Sequence, residues 1–231
     1  MARIFENMTE AVNEIERDIV EMGIMVHPHT MQNKDVKDDE NYDTMEVQNY
    51  SFTILSLKDK NEVVGKCLEW CYAEFNERLD NDITFKNPGT AWKLRPEVWT
   101  EFLVKGKMDY TYSERMNYWN QIQQVIKELK YNPDSRQCLI HVNFPIDCNW
   151  WAIKRIPCSV YYQLMIRRGK LDIIYNMRSS DFATHFKNDI WLADELRNHI
   201  AKQLDIKPGL LHMNVGSLHI YKGYGDHKHV F

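Results

Sequence analysis

Two apolar, β-rich runs, Cys158 to Ile166 and Leu171 to Met177, are separated only by the polar turn Arg167-Arg168-Gly169-Lys170, and they commit the chain to building around a sheet. A third run, Cys138 to Phe144, precedes them, and a fourth, Leu211 to Tyr221, follows the break at Pro208-Gly209. Nearer the N-terminus, residues 24–27 read as a short strand. Met45 to Leu57 alternates around Val47, Tyr50, Phe52 and Ile54, with Asn49 and Ser51 as polar interruptions.

Helical periodicity lies before and between these strands. Thr9 can cap a helix carrying Val12, Ile15, Ile19 and Met22 and stopping at Gly23; a second, from Asn61 to about Asp80, presents Val64, Leu68, Cys71, Tyr72 and Phe75. After Pro88-Gly89, Pro96 can open a short helix through Trp99 and Phe102. Ser113 can cap a long helix through Met116, Trp119, Ile122, Ile126 and Leu129, which stops at Asn132-Pro133-Asp134-Ser135. A last helix runs from about Asp189 to Leu204, and Asn33 to Asp43, with seven charged side chains, reads as a loop. The expectation is an α+β fold, a single domain over residues 1–231 with one mixed sheet and flanking helices.

The 44% apolar content is ample for a core, while the net charge of -4 lacks the basic excess that wrapping a nucleic-acid polymer requires. No apolar run reaches membrane-spanning length and no signal-like stretch opens the chain, so a soluble, cytoplasmic protein is expected. Five cysteines without paired C-x-x-C spacing favour neither a disulfide framework nor zinc. His27-x-His29 and His227-x-His229 have no third ligand nearby in sequence and read as solvated.

Several segments concentrate polar residues around the strands. Asn176-Met177-Arg178-Ser179-Ser180-Asp181 offers a guanidinium fork beside hydroxyls, suited to a phosphate monoester; alternatively Arg178 pairs structurally with Asp181. Asn132-Pro133-Asp134-Ser135-Arg136 supplies another arginine at a turn. His219 and Tyr221, two apart on a strand, share a face and could touch a sugar hydroxyl or simply bond one another in the core. Cys158 follows a proline at a strand start, and nearby Arg155 could favour its thiolate; an isolated cysteine can equally be inert packing.

In order and wording, from about residue 60 to 221, these segments resemble the thymidylate synthase family: Asp134-Ser135-Arg136, Pro157-Cys158-Ser159-Val160-Tyr161-Tyr162-Gln163, Arg178-Ser179-Ser180-Asp181 and His219-Ile220-Tyr221. Within it, Asn176-Met177-Arg178-Ser179, Phe186-Lys187-Asn188-Asp189 and Asn214-Val215-Gly216-Ser217-Leu218-His219 look like the branch of deoxycytidylate hydroxymethylases. The resemblance implies a thymidylate synthase-like fold, a homodimer packed through its sheet, a pyrimidine nucleoside monophosphate as substrate and 5,10-methylenetetrahydrofolate as cosubstrate. Cys158 would add to C6, and C5 would then take the one-carbon unit; water would complete a hydroxymethyl group and hydride a methyl group. Arg178, Ser179 and the second subunit's copy of Arg136 would hold the phosphate, and His219 and Tyr221 the sugar. Asp181 and Trp99 would contact the folate, and Tyr112 would line the site. Eight residues after Asp181, where thymidylate synthases carry asparagine, stands Asp189; a carboxylate accepts from the amino group of cytosine, although Asp189 could also cap its helix.

Three positions depart from the family. Its catalytic glutamate precedes a tryptophan by three residues, and counting back from Trp70 gives Cys67; Glu69 is rotated by about 200° from that position. Gln137 replaces a second arginine, and the N-terminal arginine loop offers only Lys34. A C5 transferase that makes methyl or acts on uridylate, and a nucleotide-binding relative with altered catalysis, therefore stand beside the hydroxymethylase.

Overall fold

A computed structural model describes residues 2–80, 89–148 and 155–224; Pro88, His227 and His229 lie outside the described residues. The Arg167–Lys170 connection is a two-residue hairpin turn, with Arg168 (φ 53°) and Gly169 (φ 69°) both left-handed. Two positive φ angles match the turn to the right-handed twist of its strands, and glycine reaches them without steric cost.

The strands among the described residues are β1 (Arg3–Phe5), β2 (Ile24–Val26), β3 (Thr30–Met31), β4 (Lys34–Asp35), β5 (Thr44–Ile54), β6 (Leu139–His141), β7 (Ser159–Arg167), β8 (Lys170–Asp181) and β9 (Lys207–Tyr221). Seven form one mixed sheet in the order β1-β5-β9-β8-β7-β6, with β2 also on β5, while β3 and β4 make a separate hairpin. The β8–β9 and β1–β5 pairs are parallel. The α-helices among the described residues are α1 (Met8–Met22), α2 (Lys60–Val64), α3 (Leu68–Arg78), α4 (Thr90–Leu94), α5 (Pro96–Trp99), α6 (Tyr112–Asn117), α7 (Gln121–Tyr131) and α8 (Lys187–Gln203).

The core lies between the helices and one face of the sheet. Ile15 and Ile19 of α1, Leu129 of α7 and Trp191, Leu196 and Ile200 of α8 bury there against Phe52, Leu164, Tyr175 and Met213. Burying each such side chain stabilises the fold by about 1.5–3 kcal/mol. Trp191 is fully enclosed and satisfies its indole N–H on Asn61 Oδ1 at 2.8 Å, which ties α8 to α2.

Several expected boundaries move for local reasons. Asn7, rather than Thr9, caps α1 by accepting from the Glu10 amide; Thr9 instead donates its hydroxyl to Asp59 at 2.6 Å. The helix expected over 61–80 divides at Gly65 (φ 50°), separating α2 from α3. Thr111, rather than Ser113, caps α6, and the long helix expected beyond it breaks at Trp119 and Asn120, both left-handed; Trp119 is 74% exposed rather than core. The polar segment expected as a loop carries β4 and a 3₁₀ turn at Glu40–Tyr42. The last helix is preceded by a π-helical turn, Phe182–Phe186, capped by the Asp181 carboxylate, so Asp189 lies inside α8 and caps nothing.

Candidate active site

The register of the sheet assembles the candidate residues. On β8 and β9, Ser179 pairs with Ser217 and Asp181 with His219, so two motifs some forty residues apart become neighbours. On the other side of β8, Ser159 pairs with Met177 across a bulge, and the Arg178 amide donates to the Cys158 carbonyl at 2.8 Å. A bulge at a strand end re-aims the adjoining side chain, here beside Arg178. These strand ends open on a cavity of about 840 Å³ lined by Cys158, Arg178, Ser179, Asp181, Asp189, His219, Tyr221, Tyr112 and Trp99.

Three donors surround Cys158 Sγ: Gln32 Nε2 at 3.8 Å, Ser179 Oγ at 3.8 Å and Arg178 Nη2 at 3.9 Å. Arg178 is held by the carbonyls of Pro157 (3.0 Å) and Ile156 (2.9 Å) and donates to Ser179 Oγ at 2.9 Å. Its expected alternative partner, Asp181, is engaged elsewhere, accepting from the amides of Ala183 and Thr184 and from the Tyr224 hydroxyl at 2.8 Å. Arg155 was the expected thiolate-facing cation, but its guanidinium packs on Tyr110, Phe102 and Trp99.

Asp189 is open to the cavity on one side and enclosed by protein on the others. That enclosure pushes its carboxyl up to about 7, opposed by the Arg78 charge and by the Ser180 hydroxyl, which donates to Oδ2 at 3.3 Å. Arg78 is buried, lies over the Tyr112 ring at 4.2 Å and pairs with Glu74 at 2.8 Å. The Tyr112 hydroxyl accepts from Ser159 Oγ at 3.0 Å, and burial raises its pKa.

The carboxylates missing upstream of Trp70 lie downstream of it. Trp70, Glu74 and Glu77 share one face of α3 and all line the cavity, whereas Cys67 packs against the hydrophobic core and Glu69 is exposed. The i, i+4, i+7 spacing was the available signal. Glu77 accepts from the Ala91 amide at 2.8 Å, and burial raises its pKa. A Cβ at Gly89 would meet its Oε1 at 2.3 Å, so a side chain there would displace the Glu77 carboxylate.

On the opposite wall, His219 is held neutral by burial and its Nδ1 meets Ser217 Oγ at 3.2 Å, with the Tyr221 ring edge-on at 5.0 Å. Trp99 stacks on His185 at 5.3 Å, and burial lowers the His185 pKa to about 4. This flat aromatic pair beside Asp181, together with the buried Trp92 indole N–H, which has no acceptor among the described residues, fits a planar heterocycle bearing acceptors. Lys34 donates to the Tyr42 hydroxyl at 3.1 Å and lies over the Phe102 ring. Arg136 is exposed and outside the cavity of its own chain. No helix among the described residues is long and apolar enough to cross a membrane.

A putative thymidylate synthase of Methanosarcina acetivorans is 26% identical over 166 residues, covering 64% of this chain and 75% of that protein. The deoxycytidylate 5-hydroxymethyltransferase of Enterobacteria phage T4 is 28% identical over 140 residues, covering 54% of this chain and 57% of that one. The crystal structure of thymidylate synthase from T4 phage shares the fold, with a TM-score of 0.72 at 22% identity over 96% of this chain and 79% of that chain. The thymidylate synthase family model matches residues 87–229, and with the fold it establishes that this chain belongs to the thymidylate synthase family, enzymes that use methylenetetrahydrofolate as cosubstrate.

Proposed function

We propose that this protein transfers a one-carbon unit to C5 of deoxycytidylate and hydrates it to the 5-hydroxymethyl product. The observation that carries the reading is Asp189, a carboxyl facing the same cavity as Cys158 with one oxygen taken by Ser180. The remaining oxygen can accept from the exocyclic amino group of cytosine, which uracil lacks. A carboxyl poised near 7 can also share its proton with N3, drawing electron density from C6.

In this reading Cys158 attacks C6, with Arg178, Ser179 and Gln32 donating toward its sulfur in the resting enzyme. Arg178 and Ser179 also bind the phosphate, and Arg136, exposed on its own chain, completes that site from the second subunit of a homodimer. His219 and Tyr221 contact the sugar. Tyr112 lines the base site, and Trp99, His185 and Asp181 hold the folate. The bound folate supplies an electrophilic one-carbon unit to C5. Glu74, paired with Arg78 near Asp189, orders the water that completes the product, a task that Cys67, standing where the family has its glutamate, cannot perform.

The second reading, methylation in the manner of a thymidylate synthase, draws on the Methanosarcina relative's name. Incubation with dCMP, dUMP or CMP and methylenetetrahydrofolate, followed by mass measurement, separates the two. A gain of one hydroxymethyl group on dCMP is expected. A methyl product, or no product and no C5 proton exchange with dCMP, overturns the reading.

A further inference from the structure

Arg155 is only 6% exposed and lines the cavity, yet among the described residues no acceptor reaches its Nη1. The rings of Tyr110, Phe102 and Trp99 lie 4.6, 5.5 and 5.6 Å from its guanidinium carbon. Ring faces offset part of the desolvation of a cation but leave the Nη1 donors without an oxygen partner among the described residues. A buried charge in this condition is costly, and a native protein that keeps one calls for an explanation. Further donors also lack acceptors among the described residues: the indole N–H groups of Trp70 and Trp92, which line the cavity, and Nη1 of Arg95, which lies over the Trp70 ring. Arg178 turns toward Cys158, whereas Arg155 turns away, onto Trp99 and thus toward the His185 stack and the turn capped by Asp181.

We propose that Arg155 is a binding residue for an anionic or carbonyl oxygen of the one-carbon donor, at a position separate from the phosphate-binding pair Arg178 and Ser179. This rests on reading the cavity as a folate-using active site. The ligand supplies the acceptor that the protein wall does not, and the aromatic cage holds the guanidinium flat and ready, so little side-chain freedom is lost on binding. Arg95 adds to the positive potential of the same wall, which favours a ligand rich in carbonyl and carboxylate oxygens.

The test compares the full-length wild-type protein with Arg155→Met, a change that keeps side-chain length and removes the charge. Folic acid and dCMP are titrated separately by calorimetry, and the ligand-free melting temperature is recorded. Arg155→Met is expected to weaken folic acid binding tenfold or more, about 1.4 kcal/mol. It should leave dCMP affinity within twofold and the melting temperature unchanged or higher, because an unpaired buried charge has been removed. Equal folic acid affinity in the two proteins overturns the proposal. A lower melting temperature with unchanged folic acid affinity would mark Arg155 as an aromatic strut, and a selective loss of dCMP affinity would assign the oxygen to the nucleotide. If the wild-type protein binds no folic acid, the functional reading itself fails, and this subsite with it.

Discussion

Replacing Asp189 by asparagine is the perturbation that most directly interrogates the base site. The Ser180 hydroxyl donates to Oδ2, and in Asp189→Asn it can keep that bond only if the amide oxygen takes the same place. The amide nitrogen must then face the base. An N–H donor there meets O4 of uracil favourably and the amino group of cytosine unfavourably. Because protein encloses the group on all sides but the cavity, water cannot rescue the mismatch, and each unmatched polar group costs about 1–3 kcal/mol. At about 1.4 kcal/mol per tenfold, the ratio of kcat/KM for dCMP over dUMP should fall about fivefold at the lower end and roughly a hundredfold near the upper end. The assay is competitive turnover of the two nucleotides with methylenetetrahydrofolate, with circular dichroism confirming the fold. A ratio unchanged within twofold in folded Asp189→Asn would refute the assignment of Asp189 as base reader. It would leave the carboxyl as a structural partner of Ser180 and Arg78.

The raised Asp189 pKa predicts a pH effect of defined sign: its proton is present below about 7 and lost above, and N3 of cytosine is basic enough to retain a shared proton where O4 of uracil is not. Preference for dCMP should therefore rise between pH 6 and pH 8 and be flat in Asp189→Asn; a preference that falls with pH contradicts this. Glu74→Gln keeps shape and removes the charge, so turnover should drop by about 10²–10⁴-fold with nucleotide affinity little changed; a loss under threefold in kcat counts against the water-ordering role. Asp147 accepts two bonds from buried Arg115, at 2.8 and 2.9 Å, and one from the Phe144 amide, so Asp147→Ala should destabilise the fold by about 3–5 kcal/mol in urea titrations; a cost under 1 kcal/mol would show that the pair is replaceable. In the proposed homodimer, with Arg136 completing the partner's site, mixing inactive Cys158→Ala with inactive Arg136→Ala should restore activity, since a mixed dimer would contain one intact site; no recovery after subunit exchange is confirmed would place Arg136 outside the site.

Much of the site was legible in the chain because its chemistry is carried by short contiguous segments. Cys158, the Arg178-Ser179-Ser180-Asp181 segment, and His219 and Tyr221 all line one cavity, and the Arg168-Gly169 turn closes the hairpin between the first two. Local steric rules suffice there, since strand alternation and turn geometry involve only neighbours in sequence. Counting back from Trp70 gives Cys67, and the sequence alone does not say which carboxylates of α3 share a face with that tryptophan. The structure places Glu74 and Glu77 toward the cavity and Cys67 toward the core.

What the sequence by itself determined was the α+β character, the hairpin at the centre of the sheet and the identity of the polar strand ends. Only the tertiary structure decided which of these meet. The parallel register of β8 against β9 sets Asp181 beside His219, and Gln32 reaches Cys158 from a hairpin 126 residues away in the chain. Tertiary packing also decided electrostatics. Arg155 lies close to Cys158 in sequence yet is stacked among rings, whereas Arg178, 20 residues away, is aimed at the sulfur. Asp189 is an ordinary carboxylate in sequence, and its pKa rises because folding closes protein around it, a desolvation that no local pattern encodes.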